Sequence, residues 1–546
     1  MFIKRLISPL TLLCVAVQCY AQDSLATSQD VALQSPLLRS YEFVKQQSPW
    51  LTSSNAAGLT FYQAKNIAAA EAGLSYAEGG LIDYWQAPRV LQANVRAEAF
   101  QRLSERTVVY GAICYDNYTG RQMTGSAFID PTRKPFNIVE DSLTNTGRKH
   151  RDTYQLTGAV GVDLGKGYSL GGRIDYTSAN YAKYKDLRHS NKLMDLRLSV
   201  GATAHMLSWL TVGANYLYHR NTESLTFSTY GKEEKVYKSL IDYAAFMGRV
   251  EQFGNTGYTE KGREIPLVED QHGGSIQIEA RPADSWAFYA DVTFCHGNGY
   301  YGRKSPYTIT FTNHNRDIIT ADAMVRYLAE ASQHTLKFAF SHEKLKNNTE
   351  TYRELTNQNG AYYYEYYDAV NVADKSWTNL QVSYTADLQI QGELPTWTLM
   401  AGFDWQQRKL TGIQYPYFRK QQLNTARGYV SGARNFLMRK GVLTATARFS
   451  YQKGSGAPFE DGLYQTPSKE DYVPPTMEAF LYQEYRYLTA AQYAFGADVK
   501  YAFVFPGTQL ATYVKGGIDY NRSNTSNDYT DGNYRIGLNL AIGCLF

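Results

Sequence analysis

Opposite charges recur two residues apart along this chain: Arg96 and Glu98, Arg173 and Asp175, Asp195 and Arg197, Asp498 and Lys500. Asp163, Lys515, Asp519 and Arg535 hold the equivalent parity in other segments, as do Asp291, Arg326, Glu330, Lys337, Asp387, Asp404 and Arg448. Residues two apart share one face of a β-strand. A strand face carrying both signs has two uses: it ties neighbouring strands by ion pairs, or it lines a hydrated passage whose field orients a polar solute. A ladder of one sign would imply ion selectivity, and this mixture does not.

Tyrosine supplies the second set of candidates, with 46 residues in 546. Tyr362, Tyr363, Tyr364, Tyr366 and Tyr367 crowd around Glu365, and Tyr472, Tyr482, Tyr485 and Tyr487 lie near Pro474-Pro475. Such clusters stack on sugar rings, hold greasy ligands or anchor a partner, and they also pack loops onto one another. Catalysis finds less support. His189, His219, His296, His314 and His342 are scattered without a nucleophile–base motif. No glycine-rich phosphate loop occurs between a strand and a helix. Cys114, Cys295 and Cys544 form neither a disulfide framework nor a metal-binding spacing, and Cys114 and Cys544 share the apolar parity of their segments, which makes them lipid-facing filler. No cofactor is expected.

The elements that must hold these residues are strands. The chain ends with Tyr534, Ile536, Leu538, Leu540, Ile542, Cys544 and Phe546 alternating with Asn533, Arg535, Gly537, Asn539, Ala541 and Gly543. A greasy face opposite a small or polar face, over about ten residues, is the pattern of a transmembrane β-barrel strand. The alternation returns in Leu91–Ala99, Tyr154–Leu164, Tyr168–Tyr176, Trp286–Phe294, Leu380–Leu388 and Tyr493–Phe503. These segments predict an antiparallel up-and-down barrel over residues 68–546 with about eighteen strands, or sixteen if the weakly patterned segment 424–438 merges with a neighbour. Links after even strands are short, as at Gly165–Gly167. Links after odd strands are expected to be longer, the largest at about 119–151, 221–271, 346–376 and 454–489. That asymmetry places the short turns in the periplasm and the long loops outside the cell. Within the longest loop, Leu240, Tyr243, Ala244 and Met247 have a helix-like spacing that suggests a constriction or a surface helix.

At the other end, Lys4 and Arg5, an apolar run from Leu6 to Val17 and the small residues around Ala21 predict a cleaved secretory signal over residues 1–21. Val17-Gln18 before Cys19 lacks the small residues of a lipid-anchor site. No later run approaches the ~18 apolar residues of a membrane-spanning helix, and the mean hydropathy is −0.42. Without Lys4 and Arg5, 53 basic residues face 51 acidic ones, a balance that gives no reason to expect nucleic acid. Residues 22–67 are either a periplasmic lead-in or a short hatch entering the lumen through the turn-rich Ser53–Leu59.

With its leader ending in Ala21-Gln22, its Asn-Ala-Ala-Gly-Leu lead-in (residues 55–59), its Tyr-rich strands and its terminal Phe546, the chain resembles the large uncharacterised outer-membrane β-barrels of Bacteroidota. The terminal Phe resembles the signal that such barrels present to the barrel assembly machinery. The resemblance implies an outer-membrane location in contact with lipid and lends no catalytic or binding residues. The favoured function is passive uptake of a small solute. The alternatives are a surface binding protein with a closed lumen, with a surface lipoprotein as a possible partner, and a hatch-bearing transporter of a hydrophobic compound similar to fatty-acid transporters. The last would have an apolar pocket near Leu59–Tyr62 and a lateral opening beside a glycine-rich strand such as Gly171-Gly172.

Overall fold

The computed structural model describes residues 36–546 apart from 141–144, 232–234, 469–471, 506, 509 and 526–531. The expected leader, its cleavage after Ala21, and Cys14 and Cys19 lie outside the described residues.

Among the described residues, eighteen long strands close into one antiparallel barrel. The first, Ile67–Glu78, pairs with the last, Tyr534–Leu545, with Leu74 opposite Leu540. Phe546 continues that ladder through a pair of hydrogen bonds with Ala68 (2.7 and 2.9 Å). Closure leaves every spanning strand paired on both sides, the condition for burying backbone polar groups in lipid. The weakly patterned segment belongs to a full strand, Tyr417–Met438, paired on both flanks, so the count is eighteen and not sixteen. A short extra strand, Glu460–Leu463, adds to the same edge at Tyr417–Lys420.

The outer face carries a continuous apolar belt that includes Leu91, Ile113, Val200, Ile276, Val292, Phe294, Leu538 and Leu540, with Val200 66% exposed. Tyr168, Trp286, Tyr327 and Tyr384 flank it, also exposed. Water does not tolerate so large an apolar surface, whereas a bilayer with interfacial aromatic girdles does. The barrel is therefore a membrane-spanning one.

The turns at one end are tight. Lys166 and Gly167 both take positive φ (57° and 81°) between Gly147–Gly165 and Tyr168–Lys183, the geometry that matches strand twist in a two-residue hairpin. The other end differs from the expected loop pattern. Strands such as Thr308–Ala329 and Val370–Gln391 have 22 residues, twice the ~10 needed to cross a bilayer. They stand above the membrane and absorb sequence that the alternation alone assigned to loops. Three of the links expected to be long are consequently short: those after Lys183, Ser305 and Gln414.

Two local expectations are corrected. Leu240–Phe253 is not a helix but a hairpin of Lys238–Ala244 with Met247–Gln252, joined to Asn137–Glu140 in a three-stranded sheet. From Ser239 to Ala244 every residue is buried, with apolar side chains on both faces and the polar Ser239 and Asp242 among them, so a period of two is invisible. Cys114 does not face lipid. It stands directly opposite Arg96 on the inward face, while its neighbour Ile113 is exposed on the outer one. That strand is apolar on both faces at its lower end, where Val108 and Tyr110 are buried, which blurred its parity.

Candidate functional site: a lumen closed at both ends

The segment before the barrel packs against the inner wall near the short turns. Ser40 caps the helix Tyr41–Gln46 by accepting from the Phe43 amide, and Asn55 caps the turn Ala56–Phe61 in the same way. Asn55 is fully buried, and its amide donates to the carbonyls of Ala202 and Ala214 and to Gln277 Oε1 (3.0, 3.3 and 3.1 Å). Trp50 Nε1 donates to Glu279 Oε2 (2.7 Å), its ring edge-on to Phe61 and Tyr289. Lys45 pairs with Glu98 (3.0 Å), and Arg39 with Glu393 (2.6 Å). Leu51, Leu59 and Val44 are buried in the same cluster, each worth about 1.5–3 kcal/mol.

The wall is shaped to receive this segment. Gly161, Gly171 and Gly201 stand in register on three adjacent strands, facing inward. A Cβ on Gly171 would lie 2.2 Å from the Ala57 nitrogen, and one on Gly161 would lie 2.7 Å from the Ala56 oxygen. A Cβ on Gly201 would lie 2.4 Å from Asn55 Oδ1. Three side-chain-free positions in a row let the Ala56–Ala57 backbone and the Asn55 side chain lie directly on the wall. Leu59 and Tyr62 are packed among Tyr41, Phe100, Val108 and Leu545, and the strand pairing runs unbroken through Gly171-Gly172 on both sides.

Many of the inward wall charges are paired with one another. Arg96 pairs with Glu98, Arg173 with Asp175 (2.7 Å) and Arg197 with Asp195 (3.3 Å). Arg448 bridges Asp498 and Asp519. Lys500 stands opposite Lys515 and lies over the Tyr513 ring, whose hydroxyl donates to Glu71. Asp163 and Arg535 share this face but serve local structure: Asp163 accepts from the Gly165 amide at the turn, and Arg535 donates to the Ala87 carbonyl. Among the histidines, His219 meets Asp195 and His314 meets Glu269, both on the inward side, while His296 meets Asp317 on the outer face.

The long-loop end is closed by the three-stranded sheet, the segment 124–136, the loop 79–88 and the helix Glu478–Thr489. Phe136, Tyr258, Tyr301 and Phe311 form its core with Phe128 and Phe227. The hairpin tip puts Ala245 and Phe246 at positive φ (51° and 56°), a strained conformation for a side chain as large as Phe. It is held because the Phe246 ring meets Tyr84 and Phe480 and its carbonyl accepts from Met477. Two cations latch segment 124–136 to the wall: Arg133 pairs with Glu343 (2.7 Å) and Lys134 with Glu223 (2.9 Å). Both glutamates are buried.

The tyrosine clusters belong to this end. Tyr362, Tyr363, Tyr364 and Tyr366 lie on the strand Tyr362–Tyr366, paired with Tyr352–Thr356. Tyr364 packs on the core, and Tyr366 bonds the neighbouring tip at Thr308 and Thr310. Tyr362 and Tyr367 stay exposed. Tyr482 and Tyr485, half-buried on their helix, meet the Phe459 ring and donate to the Gly456 carbonyl respectively.

Sequence reasoning missed the latch glutamates, Asp83, Arg408, Glu484 and the row of glycines. The parity of Gly161, Gly171 and Gly201 was readable, since each occupies an inward position. What faces them was not.

Asp83 supplies a pH dependence. Burial, reinforced by Glu484, pushes its carboxyl up from 3.8 to about 8, and burial pushes Asp242 in the hairpin up to about 6. The docked loops hold protons that released loops would lose, so closure is strongest below pH 4 and weakens as pH rises through these values. Opening events in a bilayer recording should increase between pH 5 and 8, by at most tenfold per pH unit for one proton. Asp83→Asn should flatten most of that slope.

A closed eighteen-stranded membrane barrel with an N-terminal segment seated in its lumen and loops folded over its mouth defines an occluded outer-membrane-type barrel. Residues 56–546 match the family of unknown function DUF6850, and the chain belongs to that family. No curated protein matches the chain. Among solved structures it is similar to the ferric preacinetobactin receptor BauA of Acinetobacter baumannii (9% identity, TM-score 0.40, covering 87% of this chain and 80% of that one). It is similar to the FrpB iron transporter of Neisseria meningitidis (10%, 0.41, 90% and 83%) and to the outer-membrane transporter YddB of Escherichia coli (8%, 0.40, 89% and 81%).

Proposed function

We propose that this protein is a gated transporter that admits a small polar solute across the outer membrane of a Gram-negative bacterium of the Bacteroidota kind. It is delivered there by residues 1–21 and assembled through Phe546. The observation that carries this reading is the row Gly161, Gly171 and Gly201 with Ala56–Ala57 lying on it. A wall built to seat a removable segment suits a passage that opens and shuts. Passage is diffusive once the segment, a hatch, and the loop closure have moved, and the paired wall charges orient the solute without selecting an ion. A second reading rests on Tyr362 and Tyr367, exposed on a hairpin outside the closing core: the loop tips dock a surface lipoprotein that delivers the solute.

A tether tests the first reading. Thr60 Oγ1 and Ser169 Oγ lie 3.1 Å apart, so Thr60→Cys with Ser169→Cys should lock the hatch under oxidation. Voltage-induced openings in KCl should vanish in the oxidised protein and return on reduction. Equal conductance in both states would remove the hatch from the path.

A further inference from the structure

Every element that closes the long-loop end except the three-stranded sheet contributes to one cavity of about 300 Å³. Loop 79–88 gives Asp83, segment 124–136 gives Arg133, and the helix Glu478–Thr489 gives Glu484 and Leu488. The wall gives Gln406, Thr425 and Arg408. That volume sits at the small end of ligand pockets, about 300–1,000 Å³.

The chemistry of the lining is specific. Its ionised groups are already paired: Arg408 holds Glu484 through two hydrogen bonds (2.8 and 2.7 Å), and Arg133 holds Glu343, while Asp83 has no cation at ion-pair distance among the described residues and burial favours its neutral, protonated form. An anionic guest would meet Glu484, and a cationic one would meet both guanidiniums, with no free counter-charge for either. The neutral groups are available. Gln406 and Thr425 face each other across adjacent strands. The Gln406 amide is exposed to the lumen and makes no hydrogen bond among the described residues. Thr425 makes only a long one to the Leu488 carbonyl (3.5 Å). Beside these neutral groups, the Nε–H of the paired Arg408 guanidinium is buried without an acceptor. Leu423 and Leu488 add an apolar floor. Neutral donors and acceptors over an apolar patch complement vicinal hydroxyls on a ring whose other face is C–H.

We propose that this cavity is a binding subsite for a neutral sugar of one or two rings. The inference rests on the transport reading and names the class of its solute. Because Asp83, Arg133 and Glu484 belong to three different closing segments, a sugar bound here touches each of them.

Titration calorimetry on the refolded mature chain, with glucose and maltose as probes and glycylglycine and inorganic phosphate as charged controls, tests it. Saturable binding of a sugar is expected, at least tenfold weaker in Gln406→Leu and in Thr425→Val. Because a variant can misfold, a second measurement uses Thr425→Cys, whose labelling by a maleimide should slow at least tenfold under saturating sugar. No saturable sugar binding, tighter binding of either control, or labelling unaffected by sugar would overturn the proposal. The tethered hatch needs no sugar, so openings that follow its redox state would leave the transport reading standing even then.

Discussion

Replacing Gly171 by valine should lift the hatch off the wall, while the same change one residue on, at Gly172, should leave it seated. The two positions are neighbours on one strand with opposite faces. At Gly171 the first added carbon falls 2.2 Å from the Ala57 nitrogen and 2.3 Å from the Ala56 carbon, both backbone atoms that no rotamer change moves aside. At Gly172 the nearest atom is the Ser199 oxygen at 3.9 Å, an ordinary contact. Overpacking of this kind costs about 1–3 kcal/mol and sometimes more. The whole cost falls on the docked segment, because the wall is held by ladders on both sides. Hydrogen exchange over residues 50–62 should accelerate by about one to two powers of ten in Gly171→Val, with the barrel strands unchanged. Equal exchange in the two variants would mean that the segment does not depend on its seat.

Removing the latch at the other end should have an effect at least as large. Glu223 is 1% exposed, and Lys134 is the one cation at ion-pair distance from it among the described residues. Lys134→Met keeps the length of the side chain and deletes its charge. Asn191 and the Ile129 amide still donate to Glu223, but neither neutralises it. Stranding a buried carboxylate in this way costs about 3–5 kcal/mol. The inexpensive relief is to hydrate Glu223 by withdrawing segment 124–136 from the lumen. In a background lacking Cys114, Cys295 and Cys544, a cysteine placed at the buried Ala127 should then react with a membrane-impermeant maleimide about two to three powers of ten faster. Glu343 predicts a smaller effect for Arg133→Met, since Arg316 of the wall also pairs with it.

These closures mark the boundary of what the sequence discloses. The spanning strands were readable because lipid on one side and water on the other impose a strict period of two, as in Tyr534–Phe546. The inward parity of the charges followed from the same rule, since an Arg or Lys facing lipid at mid-membrane would cost about 2–4 kcal/mol. Where both faces are buried the rule fails. Ser239–Ala244 is buried throughout, with its apolar residues on both faces, which gave its hairpin the look of a helix, and the lower part of Thr107–Met123 is covered inside by the hatch, which reversed the parity assigned to Cys114. Long-range juxtapositions leave no local trace. Gly161, Gly171 and Gly201 are unremarkable singly and become a seat only when three strand registers align them. Lys134 lies 89 positions from Glu223 in the chain. Three links at the long-loop end proved shorter than the alternation implied because the strands continue beyond the bilayer.

Single-channel conductance of the refolded mature chain bears most directly on the claim that the lumen is shut at both ends and can be opened. Three proteins belong in one comparison: the intact chain, a variant without residues 22–62, and a variant that also lacks residues 126–138. The intact chain should be silent apart from rare openings, the first deletion only slightly more active, and the second steadily conducting. A large steady conductance from the intact chain, or a double deletion that stays silent while correctly folded, would contradict the account.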